Sequence, residues 1–256
     1  MEGARAMRQR TKGVDSARRA LQILLTFSHN RPELTIEDIV NAADISLPSA
    51  YRYVALLREM YLIEERSKGT YVLSPEILQL ARAAELTMDY RAEAEPVLAA
   101  LREQTGETSL YVRRLNDAAV CLAIAESDHA ISISFQPGHV MPLHKGAGAK
   151  VLLSGLPKAK RAKYFAALEP PLSAQTLEAL NADLDGIRVS GFAVSMGEVD
   201  EGVWACAAEV KSRGHLVGAV SVVAPSYRLT DAKQAEIGSA VRAAARDLGA
   251  AIGDDR

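Results

Sequence analysis

The chain has 256 residues, 48% of them hydrophobic, and a formal net charge of −2. This length and apolar content are sufficient for two modest domains or one large one. The near-zero charge excludes attraction of nucleic acid by the overall field, and no apolar run is long enough to span a membrane. Cys121 and Cys206 lie in apolar, strand-like runs, which favours buried thiols over a disulfide or a metal site. We expect a cytoplasmic protein without membrane attachment.

Residues 1–13 are predicted to form a basic N-terminal arm. The basic residues in and just after it are Arg5, Arg8, Arg10, Lys12, Arg18 and Arg19. Such a run is typical of a segment that contacts phosphate groups, and equally typical of a solvated tail without a function.

Residues 14–74 are predicted to form a winged helix-turn-helix domain. After a first helix, Thr35 and Asp38 have the spacing of a capping box, in which each side chain satisfies a backbone N–H group of the other residue. A third helix follows, with Ser46 at its N-cap. Pro48 is tolerated there because the N–H groups of a first turn have no helical acceptor.

The third helix has the pattern of a DNA recognition helix. Its predicted inner face consists of Ala50, Val54 and Leu57. Ser49, Arg52 and Tyr53 are therefore predicted to face outward. An arginine can bind guanine or phosphate, and hydroxyl groups can reach phosphates or base edges.

Two short strands, YLIEE and TYVLS, follow the third helix and are joined by the basic segment 66–70. This is the pattern of a hairpin, or wing. A single element of this kind is compatible with an ordinary solvated surface, but the ordered set predicts binding of double-stranded DNA. The predicted DNA contacts are Arg19, Ser46, Ser49, Tyr51, Arg52, Tyr53, Lys68 and Thr70.

The rest of the chain is predicted to be an α+β domain. Residues 75–90 are assigned to a linker helix and 91–256 to the second domain. Strands grouped in runs, with helices before, between and after them, indicate an antiparallel sheet. Helical sequence is expected from residue 146 to about 184 and after a cap at Thr230. The predicted strands cover residues 108–114, 118–126, 130–135, 189–196, 202–212 and 215–225.

The stretch MPLHKGAGAKVLL, residues 141–153, has some features of a phosphate loop. NTPase loops need a serine or threonine after the lysine to hold Mg²⁺, but here Lys150 is followed by Val151. NTP hydrolysis is therefore excluded. Two interpretations stay open: a tight turn into a core helix, or a helix start whose unpaired N–H groups bind a small anion.

Several longer segments share a family pattern. In the first half they are VDSARRALQILLTF, LTIEDIVNAADISLPSAYRYVALLREMYLI and KGTYVLSPEILQLA. In the second half they are PLHKGAGAKVLLSGL, GFAVSMGEVDEGVWACAAEV and VGAVSVVAP, followed by Arg228. The most specific is G-x-x-x-S-x-x-E from Gly191 to Glu198, followed by Gly202 and Val203. The chain resembles the IclR-type (isocitrate lyase regulator) family of bacterial transcription factors over nearly its full length.

This resemblance implies a repressor or activator, with no enzymatic activity and no cofactor, that binds a DNA operator as a homodimer or tetramer. It also implies a GAF-like C-terminal α/β domain that binds a small organic acid or aromatic effector. The effector contacts that it implies are Ala147, Gly148, Ser195, Val203, Ala205, Ser221 and Val223. We expect the acidic head to meet the N–H groups of Ala147 and Gly148, and both serines to add hydroxyl contacts.

Six positions depart from the usual pattern of the family. Asp44 stands where the turn of the helix-turn-helix usually has glycine, and it can adopt the left-handed conformation at some cost. Leu47 and Pro48 stand where the family usually has a basic residue and a small polar one, which argues against direct base contacts at the start of the third helix. Lys145 replaces a common alanine and makes the start of the pocket more basic. Ser195 stands where relatives can have Asp, and Val223 replaces a hydroxyl. The sheet side of the pocket is therefore less polar, which favours an acid with an apolar or aromatic body.

An enzyme is the main alternative, and a ligand sensor that does not bind DNA is a second one. The residues available to an enzyme are His139, His144 and Glu198, with Cys121 or Cys206 as nucleophile. No histidine pair has the i, i+4 spacing of a metal site, and neither cysteine lies in a nucleophile motif. We interpret His144 as a hydrogen-bonding residue of a turn, and Glu198 as an anchor near the pocket.

Overall fold

The computed structural model describes residues 13–28, 31–85, 89–129 and 135–254. The chain divides into two compact units, residues 1–88 and 89–256. The basic residues up to Lys12 and most of the strand predicted at 130–135 lie outside the described residues. Among those described, no helix has the length and apolar character needed to cross a bilayer.

The N-terminal unit is a winged helix-turn-helix. Its elements are α1 (Asp15–Leu24), β1 (Glu33–Thr35), α2 (Ile36–Ala43), α3 (Leu47–Glu59), β2 (Ile63–Ser67), β3 (Thr70–Leu73) and α4 (Ile77–Glu85). The strand β1 was not predicted, because three residues are too few to show a period of two. It pairs antiparallel with β3, which also pairs with β2. A core of ten residues, including Phe27, Leu34 and Tyr71, holds these elements together.

The turns around α2 confirm two local predictions and correct a third. Thr35 and Asp38 form the capping box: the Asp38 N–H donates to Thr35 Oγ1 at 3.2 Å and the Thr35 N–H to Asp38 Oδ2 at 2.9 Å. Asp44 ends the helix in the left-handed conformation, with φ 49° and ψ 58°. Ser46 is at the N-cap of α3, but its side chain accepts no capping bond, and its hydroxyl donates to Ser49 Oγ.

The C-terminal unit is an antiparallel sheet with helices on both faces. Its elements are α5 (Asp89–Thr105), β4 (Thr108–Leu115), β5 (Ala118–Ala125), β6 (Val140–Pro142), α6 (Ala147–Ser154), α7 (Lys158–Phe165), α8 (Ala174–Ser190), β7 (Phe192–Met196), β8 (Val203–Ser212), β9 (His215–Pro225) and α9 (Asp231–Asp254). The six strands have the order β6-β5-β4-β9-β8-β7. The predicted strand 189–196 was wrong at its start, because α8 continues to Ser190. Gly191 then ends that helix with a φ of 66°.

The two faces of the sheet bury different sets of residues. Ala205 and Ala207 of β8 belong to the core that also contains residues of α6, α7 and α8. The intervening Cys206, together with Trp204, belongs to the core that contains residues of α5 and α9. This alternation follows from the period of two along a strand. The predicted effector contacts lie on the α6 side.

Two helical glycines differ in their surroundings and allow a matched test of this packing. A Cβ on Gly249 of α9 would lie 2.3 Å from the carbonyl oxygen of Lys211 in β8, whereas one on Gly186 of α8 would meet nothing within 4 Å. We expect Gly249→Ala to destabilise the unit by about 1–3 kcal/mol through overpacking. Gly186→Ala should stabilise it by up to about 1 kcal/mol through helix propensity. Urea unfolding followed by the fluorescence of Trp204, the single tryptophan, measures both changes, and equal effects would contradict the close approach of α9 to β8.

Candidate functional site

All seven residues assigned to effector binding line one cavity in the C-terminal unit. They are Ala147, Gly148, Ser195, Val203, Ala205, Ser221 and Val223. The cavity lies between the start of α6 and the sheet, and its enclosed volume is about 40 Å³. The sequence analysis did not identify the strand residues Leu110 and Val112 of β4, nor Phe135 and Met141, which also line it. Those residues lie in ordinary apolar runs, so no sequence signal separates them from the core.

The start of α6 packs directly on the sheet at Gly148. A Cβ on this residue would lie 3.0 Å from Val112 Cγ2 and 3.7 Å from Ser221 Cβ. The contact with Val112 is tighter than an ordinary van der Waals contact, so a side chain at residue 148 would force Val112 to shift, whereas glycine does not. The conformation of Gly148 is not the reason, since it is helical.

Two N–H groups at the start of α6 already have acceptors. Gly146 donates to Glu198 Oε2 at 2.9 Å, and Ala147 donates to Ser195 Oγ at 3.1 Å. These bonds satisfy groups that have no carbonyl partner within the helix. The Ala147 N–H, expected to meet the ligand directly, is thus bonded to Ser195. A ligand at this end therefore meets the serine hydroxyl.

Lys150 is the centre of a buried ion cluster. Its ammonium group donates to Glu198 Oε1 at 2.6 Å, to Asp183 Oδ2 at 2.8 Å and to the Val194 carbonyl at 3.3 Å. The side chain is only 5% exposed. Burial alone would lower the pKa of Lys150, but the hydrogen bonds to Asp183 and Glu198 outweigh it and raise that pKa. The lysine that resembled a phosphate-loop lysine is thus a structural tie between α6, α8 and β7.

Three charged side chains contribute to the polar wall of the cavity: Lys145, Glu198 and Asp200. Glu198 is paired with Lys150, so its negative charge is compensated inside the protein. Lys145 is exposed and directly precedes the start of α6. The wall near the helix start therefore combines charged groups of both signs with hydrogen-bonding groups, whereas the sheet side is mainly aliphatic.

The residues of the enzyme alternative have structural roles. Burial raises the pKa of both Cys121 and Cys206 to about 12, so each is a neutral thiol at pH 7 and a poor nucleophile. His144 Nδ1 is hydrogen-bonded to the Tyr164 hydroxyl at 2.7 Å, and burial lowers its pKa. The ring of His139 packs edge-on against Phe135. In the part of the chain that the structure describes, no three His, Cys, Asp or Glu residues are grouped as a metal site requires.

On the N-terminal unit, α3 presents a polar surface. Arg52 donates to Ser49 Oγ at 3.2 Å, and Ser46 donates to the same atom at 3.0 Å. Tyr51 is 51% exposed. Tyr53 differs from the prediction that it faces outward, since it is half-buried and packs against the core of this unit. An aromatic ring at the edge of the inner face is long enough to cover that core.

The wing and α1 hold the other predicted DNA contacts. Lys68 is exposed in the turn between β2 and β3, and Thr70 is half-buried at the start of β3. Arg66 is paired with Glu33 of β1, which connects the wing to the third strand. Arg19 is exposed on α1. The predicted DNA contacts thus lie on α1, at α3 and on the wing, all within the N-terminal unit.

A winged helix-turn-helix joined to an α/β unit with an internal cavity defines a class of two-part transcriptional regulators. Residues 16–67 match the model of the IclR helix-turn-helix domain, and residues 83–250 match the model of the bacterial transcriptional regulator IclR C-terminal domain. The chain belongs to the IclR family, whose matched members are transcriptional regulators and not enzymes.

Individual relatives agree with this assignment. The probable transcriptional regulator SauR of Cupriavidus necator is 31% identical over 224 residues, which cover 84% of this chain and 88% of SauR. The solved structure of an IclR-type regulator from Silicibacter sp. has a TM-score of 0.76 at 27% identity and covers 93% of this chain and 96% of its own. An IclR homologue from Microbacterium hydrocarbonoxydans, solved with 4-hydroxybenzoate, has a TM-score of 0.75 at 20% identity, with 92% and 98% covered. The last likeness concerns the fold alone.

Removal of the Lys150 ammonium tests the ion cluster. We expect Lys150→Met to destabilise the protein by about 1–3 kcal/mol, less than for a fully buried pair because both carboxylates reach solvent. The raised pKa means that this contribution is present at neutral pH and is lost as the pH rises above the ordinary lysine pKa of 10.5. Lys158→Met, which removes an exposed lysine paired at 3.7 Å, should change stability by less than about 0.5 kcal/mol. Urea unfolding at pH 7 and pH 11 measures both, and equal losses for the two variants would contradict the assigned role.

Proposed function

We propose that this regulator binds a double-stranded DNA operator through α3 and the wing, and that a small organic acid in the C-terminal cavity controls this binding. The observation that carries the second part is the convergence of residues from α6, β7, β8 and β9 on one cavity. Polar groups are concentrated at the start of α6, and aliphatic side chains line the sheet. This distribution fits an acid whose body is apolar or aromatic.

The energetics support such a body. Micromolar affinity requires about 8 kcal/mol. The end of a helix contributes only about 0.3–1 kcal/mol toward an anion, and each neutral hydrogen bond nets about as much. Most of the affinity must therefore come from burial of apolar surface. The complex of the Microbacterium homologue with 4-hydroxybenzoate, an aromatic acid, is consistent with this class of ligand.

The size of the cavity supports a control mechanism. A cavity volume of about 40 Å³ is enough for a few water molecules but not for an aromatic acid. An effector of that size binds only a state in which the side chains of Phe135 and Met141 have moved aside. A ligand that binds one of two states selectively shifts the equilibrium between them, which is what control of operator binding requires.

The DNA-binding unit is too small to act alone. A single recognition helix and wing bury little surface, and specific complexes of such modules use two half-sites. We therefore propose a homodimer, or a tetramer built from two dimers, on a pseudo-palindromic operator. The arm at residues 1–13 and the wing lysine would mainly hold phosphates.

Arg52→Ala tests the recognition helix. If Arg52 reads a base, we expect the variant to lose about 1–3 kcal/mol of operator affinity. Arg246→Ala, at an exposed position of α9, is the matched control and should bind like the wild type. The operator is first selected from random duplexes with the wild-type protein, and affinity is measured by fluorescence anisotropy. A folded Arg52→Ala protein with unchanged affinity would refute the assignment.

Gly148→Val tests the cavity. A Cβ at this position already meets Val112 at 3.0 Å, so the larger side chain fills the space between α6 and the sheet. At one hundred times its dissociation constant, an aromatic acid should stabilise the wild type by about 2.7 kcal/mol, which a thermal-shift assay detects. We expect the variant to show no such stabilisation. Its operator affinity should be preserved. A normal response to the acid would mean that the ligand binds elsewhere, whereas loss of DNA binding as well would indicate misfolding and calls for Gly148→Ala as the milder change.

A further inference from the structure

Ser195 and Ser221 line the same cavity, but their hydroxyl groups are engaged in opposite ways. Ser195 Oγ accepts a hydrogen bond from the Ala147 N–H at 3.1 Å. Ser221 Oγ donates its hydrogen to the Cys206 carbonyl at 2.9 Å. A hydroxyl has one donor and two acceptor positions, so these bonds determine what each serine can still offer.

Ser195 is left as a donor. The backbone N–H uses one of the two acceptor positions of its oxygen, and its own hydrogen can point toward a ligand acceptor. The residue is 7% exposed, so a hydrogen bond to a ligand there is shielded from water. Lys145, which lines the same cavity and precedes the N-cap Gly146, adds positive charge near this end, where Asp200 and the Lys150-paired Glu198 also lie. The Ser195 hydroxyl and the Lys145 ammonium group favour a carboxylate oxygen.

Ser221 is left as an acceptor. Its hydrogen is used by a carbonyl oxygen, which cannot donate in return. A carboxylate placed here would face the lone pairs of two oxygens, Ser221 Oγ and the Cys206 carbonyl. Turning the hydroxyl toward the ligand would break the existing bond in a site that is only 2% exposed, where water cannot replace the lost hydrogen bond.

We propose that the effector is bifunctional: a carboxylate accepts from Ser195, and a hydroxyl or amino group on the far side of its apolar body donates to Ser221. This inference rests on the proposed acid-binding function and deepens it. It also replaces our expectation that both serines contact the acidic head.

The strand register gives the separation of the two groups. Ser195 lies opposite Ala205, and Ala205 lies opposite Val223. Ser221 is two residues along β9 from Val223, on the same face. Two strand spacings and two residue rises place the Cα atoms of the two serines roughly 12 Å apart. With a hydrogen bond at each end, roughly 6 Å remains between the polar atoms of the ligand. A para-substituted aromatic ring spans such a distance, whereas an acid of two or three carbons does not.

The test compares matched ligands on the intact protein by calorimetry. The probes are benzoate, 4-hydroxybenzoate, 4-aminobenzoate and 4-methoxybenzoate. The hydroxy and amino acids each carry a donor, the methoxy acid keeps only an acceptor, and benzoate has neither. We expect the two donor acids to bind about five- to tenfold more tightly than benzoate, and the methoxy acid to bind no better than benzoate.

Two variants assign the preference to a residue. Ser221→Ala should remove the advantage of the donor acids over benzoate, whereas Ser195→Ala should weaken all four acids and keep their ranking. Equal affinity of the wild type for benzoate and the donor acids, or a preference that survives in a folded Ser221→Ala protein, would overturn the inference while leaving the acid site intact. Binding of none of the acids would contradict the proposed function itself, and the inference with it. The order of the four acids by affinity for the wild-type protein tests the inference even if Ser221→Ala fails to fold.

Discussion

The close approach of α6 to the sheet is the constraint on which the C-terminal unit depends. At Gly148 the helix backbone lies so near Val112 that a single methyl group would force that side chain to move. This contact positions the start of the helix over the strands that carry the cavity residues. A larger residue would separate the two layers, and the N–H groups of α6 would no longer face Ser195 and Glu198. The cavity therefore depends on the absence of a side chain at residue 148.

At the start of α6, the N–H groups of Gly146 and Ala147 are bonded to side-chain acceptors. Glu198 accepts from Gly146 and is itself held by Lys150, whose second carboxylate partner, Asp183, comes from α8. One ammonium group and two carboxylates leave this cluster with an excess of negative charge, so selectivity for an anion cannot come from its net field. It depends on hydrogen-bond direction, in which each group either donates or accepts. A small displacement of α6 changes several of these bonds together, which makes the helix start suited to report ligand binding.

The two units use different physical means for their partners. On the N-terminal unit, the groups that we propose to contact DNA are solvated side chains of α3 and the wing, which suits a partner whose phosphate charge dominates affinity. In the C-terminal unit, the groups that we propose to contact an effector are buried hydroxyls and aliphatic side chains, where a hydrogen bond is shielded from water and an unmatched polar group is costly. Affinity for DNA can therefore be distributed over many exposed contacts, while discrimination among ligands rests on a few buried ones.

Much of this was accessible from the amino-acid sequence. The capping box at Thr35 and Asp38, the left-handed Asp44 and the inner face of α3 follow from local rules of spacing and backbone conformation, so they could be predicted. The α+β order and the membership of the seven cavity residues followed from motifs and from a family resemblance. Tertiary structure alone decided the rest. The short strands β1 and β6 exist only because partner strands pair with them, and Tyr53 packs inward because a core edge lies within its reach. The burial of Lys150 depends on Asp183 and Glu198, which are 33 and 48 residues away in sequence. The opposite roles of Ser195 and Ser221 depend on which backbone group lies beside each hydroxyl, and residue type carries no information about that neighbour.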